Sequence, residues 1–88
     1  MNNTLNKLER LHLARIKAMP CAVCGQAAPS EAHHIEQRKQ YLCIPLCTDC
    51  HTGSHNGLHR LKRIWGVLKK TELSCLNDTI EQLMNGKA

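Results

Sequence analysis

Leu5, Leu8, Leu11, Ile16 and Met19 recur at helical spacing along residues 4–19, with Lys7, Glu9, Arg10 and Lys17 on the other faces. Apolar positions three or four apart share one side of an α-helix, so this stretch predicts an amphipathic helix. Asn3 or Thr4 is its expected N-cap, and Pro20 follows its end. At the other end of the chain, Leu73, Leu76, Ile80, Leu83 and Met84 fall on one face of a helix expected to start near Thr71 and to fray at Asn85-Gly86. The middle reads differently. Residues 31–36 and 40–46 predict two short strands of a hairpin, joined through the polar Gln37-Arg38-Lys39. A helix opens at Thr48, kept short or broken by Gly53 and Gly57. Residues 58–67 predict a further helical stretch that carries the lone Trp65.

These elements predict one α+β domain over residues 1–88: an N-terminal helix (1–19), a central core (20–60) and C-terminal helices (61–88). Composition sharpens the picture. A chain of 88 residues with one Trp, one Tyr and no Phe buries little surface, so some supplement to the core is expected. Six Cys and six His are the obvious source. The N-terminal MNNTLNKLERLHLARIK lacks an apolar stretch and cleavage site of the secretory kind. No run of about twenty apolar residues spans a membrane. The expected setting is therefore cytoplasmic, where thiols stay reduced and clustered cysteines read as metal ligands rather than disulfides.

Cys21-x-x-Cys24 and Cys47-x-x-Cys50 each place two thiolates at the edge of a turn, and Gly25 follows the first pair. Two such knuckles supply the tetrahedral sulfur set that structural zinc prefers. The intervening 22 residues leave room for the hairpin. Cys75 and Cys43 are left over; Cys75 reads as a buried thiol, and Cys43 as core in preference to a substitute ligand.

The histidines add a second chemistry. His33 and His34 are adjacent, and His51 and His55 are four apart, one helical turn, a spacing that presents two imidazoles to one metal. His59 repeats the interval, beyond the interruption of Gly57. Cys50 and His51 are neighbours, so they should serve different ions, the cysteines closing zinc and the histidines leaving a second cation open to water and substrate.

A CxxC knuckle, then AHHI, then IPLCxxCHxxxH resembles the HNH endonuclease superfamily, and most of all its phage recombination-enhancing branch, over roughly residues 20–60. The resemblance implies a zinc-stabilised ββα-metal core of treble-clef-like form. It implies His33 and His51 as ligands of a catalytic divalent cation (Mg²⁺, Mn²⁺, Ni²⁺ or Zn²⁺), His55 as a third ligand or a phosphate contact, and His34 as general base. Successive residues of a flat strand face opposite ways, so His33 and His34 must lie at a bulge or a strand end to share a site. The family pattern also carries an Asn about nine residues before the His of CxxCH, where this chain has Leu42 flanked by Tyr41 and Cys43.

A formal charge of +5 favours polyanions. Arg38 and Lys39 at the hairpin tip, with Arg60, Lys62 and Arg63 after the histidines, are candidate phosphate contacts, and scarce aromatics favour the backbone of double-stranded DNA over stacked single strands. The expectation is a metal-dependent DNA endonuclease acting in phage or prophage DNA processing or recombination in a bacterial cell, with a recombination protein as a possible partner. The alternatives are a non-catalytic zinc-knuckle DNA adaptor and a zinc-stabilised protein-interaction domain.

Overall fold

The structure, a computed structural model, describes residues 4–86. Its elements run α1 (Lys7–Lys17), β1 (Glu31–His34), β2 (Cys43–Leu46), α2 (Thr48–Thr52), α3 (Arg63–Val67) and α4 (Glu72–Met84). The architecture is α+β, with a single two-stranded antiparallel sheet among the described residues.

The first helix starts later than its apolar pattern suggests. Asn6 is the N-cap, its side chain accepting from the Glu9 amide while the Glu9 carboxylate accepts from the Asn6 amide. This reciprocal box outcompetes Thr4, and Asn3 lies outside the described residues. The buried face also differs from the expected Leu stripe. Leu8 and Leu11 are exposed, whereas Ile16 and Met19 are fully buried with Cys43, and Leu13, Ala32 and Leu83 pack around them.

The strands pair Glu31 with Leu46, Ala32 with Pro45, His33 with Ile44 and His34 with Cys43. Both strands are shorter than predicted, because the chain turns from Ile35 to Leu42, closed by the Ile35 amide donating to the Leu42 carbonyl at 2.8 Å. Every residue of β2 is buried, and its two faces serve two clusters. Cys43 joins Ile16 and Met19; Ile44 and Leu46 join Cys21, Val23, Cys47, Cys50, Trp65 and Cys75. Pro45 lacks an amide, but its carbonyl accepts from Ala22, which fastens the first knuckle to the strand.

The stretch predicted as helix over residues 58–67 is helical only from Arg63, because turns occupy residues 58–61 and Lys62 adopts a left-handed conformation (φ 56°). The last helix starts near Thr71 as expected, and Thr71 and Ser74 cap it by exchanging side-chain and amide hydrogen bonds. It packs through Cys75, Thr79 and the half-buried Leu76 and Leu83, leaving Leu73, Ile80 and Met84 exposed. The helix is therefore rotated from its apolar stripe. That rotation brings Glu72, its first residue, to the histidines. No helix among the described residues is long and apolar enough to cross a membrane.

Candidate metal centres

Two turns build the cysteine site. In the first, the Gly25 amide returns to the Cys21 carbonyl at 2.9 Å, and Gly25 takes the positive φ (80°) that closes the knuckle. In the second, Cys47 is the N-cap of α2 and its sulfur accepts from the Cys50 amide at 3.4 Å. The Val23 amide makes the same contact to Cys21 Sγ, also at 3.4 Å. The four sulfurs lie within 4.8 Å of one another. Cys24 Sγ and Cys47 Sγ are 3.7 Å apart, against about 3.8 Å for the edge of a tetrahedron with ~2.3 Å zinc–sulfur bonds. Cys21, Cys24, Cys47 and Cys50 can thus hold a metal ion, and the all-sulfur donor set suits zinc.

The thiols themselves call for a cation. Burial pushes the Cys21 thiol up, but amide hydrogen bonds from Cys24, Cys47 and Val23 outweigh it and bring the group down to about 7. Burial raises Cys47 and Cys50, and the charge on Cys21 raises both further. One thiolate therefore opposes the next until a dication neutralises them. Cys43 and Cys75 take no part in this group; both are buried, and burial holds each thiol up at about 11.

A second site is built from histidines. His33 comes from β1, His51 from α2, and His59 from the turn between α2 and α3. Their ring centroids are 5.1 Å (His33–His51), 5.3 Å (His33–His59) and 5.6 Å (His51–His59) apart. One nitrogen of each lies within 4.8 Å of the others, close enough for small ring rotations to bring them onto one ion. The turn is held by the Gly57 amide on the Gly53 carbonyl and the Leu58 amide on the Cys50 carbonyl, both at 2.9 Å. A Cβ at Gly57 would collide with the Gly53 backbone, so only glycine lets the chain fold back tightly enough to present His59.

Carboxylates buttress two of the rings. Glu72 Oε2 is 2.7 Å from His33 Nε2, and Glu31 Oε1 is 2.7 Å from His51 Nδ1. Glu31 is itself held by the Thr48 hydroxyl, which donates to it at 2.9 Å. A carboxylate on one ring nitrogen orients the imidazole and leaves the other nitrogen to a cation. Burial keeps His33 below its ordinary pKa, against the opposing pull of Glu72, so the ring stays neutral as a ligand must. The His51 and Thr48 hydrogen bonds hold the Glu31 carboxyl below its usual value.

Sequence reasoning placed His55 in this set, and the structure brings His59 there instead. Helix α2 ends at Thr52, so His51 and His55 are not one helical turn apart on a shared face. His55 lies exposed in the next turn, its carbonyl accepting from the Arg63 amide at 3.0 Å. His34 is the last residue of β1, at the strand end where the adjacent pair had to lie. His33, His34, His51, His59, Gln37 and Glu72 line one open cleft of about 500 Å³. A neighbouring cleft of about 360 Å³ is lined by His34, Gln37, Arg38 and Gln40.

Of the candidate phosphate contacts, Arg38 borders that second cleft, held at φ 67° in the hairpin loop. Lys39, Arg60, Lys62 and Arg63 are exposed, and none of the five makes an ion pair among the described residues. Sequence reasoning missed Glu31, Glu72 and Gln40, single polar residues whose proximity to the histidines arises only from strand pairing and helix docking. No family model matches this chain, and no curated protein or solved structure matches it either.

Proposed function

We propose that the chain is a metal-dependent endonuclease of the HNH type, hydrolysing phosphodiester bonds of double-stranded DNA in phage or prophage DNA processing or recombination. The observation that carries this reading is the convergence of His33, His51 and His59 in an open cleft that His34 also lines. Zinc on the four cysteines has a structural role, since its ligand set is closed. The histidine site offers three nitrogens, and a cation held by them would keep room for water and a phosphate oxygen.

A divalent cation bound there supplies Lewis acidity toward the phosphate and stabilises charge on the leaving oxygen. His33, His51 and His59 would hold that ion, with Glu72 and Glu31 fixing two of the rings. His34 accepts a proton from water as the water oxygen bonds to phosphorus; the opposite P–O ester bond breaks, and the departing oxygen is protonated from solvent. Arg38, beside His34, and the exposed Lys39, Arg60, Lys62 and Arg63 hold neighbouring phosphates, which makes binding fall steeply with salt.

The test is nicking of supercoiled plasmid by zinc-loaded protein with Mg²⁺, Mn²⁺ or Ni²⁺. His34→Ala and His59→Ala should each abolish nicking with zinc retained, while His55→Ala should leave it largely intact. Loss in His55→Ala with His59→Ala active would return the third ligand to His55. Duplex binding without cleavage under every cation would make the chain a DNA adaptor.

A further inference from the structure

We infer that Gln40 positions His34, fixing the imidazole as its Nε2–H tautomer so that Nδ1 is the nitrogen that accepts the proton. The inference deepens the nuclease reading and rests on it for its catalytic consequence. His34 is the last residue of β1, and past it the chain leaves the sheet. Strand pairing with Cys43 fixes the backbone of His34 but leaves ring rotation and tautomer undetermined. Among the described residues the one side-chain hydrogen bond to its ring runs to Gln40, whose Oε1 is 2.8 Å from His34 Nε2. An amide oxygen can only accept, so Nε2 carries the hydrogen and the lone pair lies on Nδ1.

Gln40 is suited to this because its own backbone is clamped. The Lys39 amide donates to the Glu36 carbonyl at 3.2 Å and the Leu42 amide to the Lys39 carbonyl at 3.0 Å. The Cys43 thiol donates to the Gln40 carbonyl at 3.4 Å. Cys43 is 1% exposed and packed against Ile16 and Met19, so the backbone that carries the Gln40 side chain is tied through a buried thiol to the core. A general base held in one orientation needs no search before each turnover, which is the gain a positioning residue gives.

Were the Gln40 amide reversed, its NH₂ would donate to Nε2 and the proton would sit on Nδ1, so the tautomer is a direct readout. The experiment is ¹⁵N imidazole spectroscopy of the zinc-loaded chain, full length, for wild type, Gln40→Ala and Gln40→Glu, with plasmid nicking measured beside it. Glutamate keeps the acceptor and cannot donate, so it separates the two orientations. Wild type and Gln40→Glu should show His34 protonated on Nε2; Gln40→Ala should show averaging between tautomers.

In nicking, Gln40→Ala should lose at least about tenfold in kcat at similar KM, within the ~10²–10⁴ that general-base catalysis contributes, and Gln40→Glu should recover most of it. A wild-type Nδ1–H tautomer overturns the inference, as does unchanged kcat in Gln40→Ala. If the tautomer depends on Gln40 but wild type nicks nothing, the hydrogen-bond assignment stands and the nuclease reading falls.

Discussion

Removing zinc with a strong chelator at neutral pH perturbs far more than a surface knuckle. Cys21, Cys47 and Cys50 are 3%, 5% and 1% exposed and belong to the same cluster as Val23, Ile44, Leu46, Trp65 and Cys75. Structural zinc in small modules contributes on the order of 10–16 kcal/mol. An 88-residue chain at ~0.05–0.15 kcal/mol per residue has about 4–13 kcal/mol of stability in all. The loss removes most or all of the whole, so the chain should unfold globally. Trp65 reports this directly: it is the only Trp, it is 1% exposed, and its Nε1–H donates to the Cys50 carbonyl at 3.0 Å. Chelation should shift its emission to the red and erase the helical circular dichroism along one curve. Zinc removal verified by metal analysis, with blue emission and a cooperative melt both preserved, would refute the reasoning.

Glu72→Ala removes the partner of His33, and supports of this kind are worth about 10–100-fold in metal affinity; calorimetric titration with Mn²⁺ or Ni²⁺ should show that loss with zinc content unchanged, and equal affinity would deny Glu72 the role. Burial holds both His12 and His33 below the ordinary 6.5, so as pH falls through that value the unfolded chain takes up protons before the folded one. Their contribution to stability is full above about pH 6.5 and lost below it. The Tm of the zinc-loaded chain should drop on acidification through that window, and less steeply in His12→Gln; identical slopes would remove His12 from the account.

Sequence pattern served well where a local rule acted alone. CxxC spacing is set by the turn that each pair closes, so Cys21, Cys24, Cys47 and Cys50 could be named without knowing the fold. The capped start of α4 at Thr71 is equally local. The histidines were harder. His33 and His51 were legible from the adjacent pair and the knuckle, but the four-residue rule pointed to His55 on a helix that stops at Thr52. The signal for His59 was there in Gly53 and Gly57, which make a tight return rather than a mere interruption. Buried faces were also misjudged. Leu8, Leu11, Leu73 and Met84 look like core by hydropathy but stay exposed, because a two-stranded sheet offers too little area to cover both long helices around their apolar arcs.

Helix α2 is only five residues long, and such a helix has no stability of its own in water. Its N-cap is Cys47 and its buried residue is Cys50, both from the cysteine set that can hold a metal ion, and the next residue is His51. The Cys50 carbonyl also holds the Leu58 amide, next to His59. Two of the three histidines thus hang from a short wall whose ends are set by the cysteine turn. The cysteine turn therefore has to form before the histidine cleft can, and whatever fixes the first shapes the second.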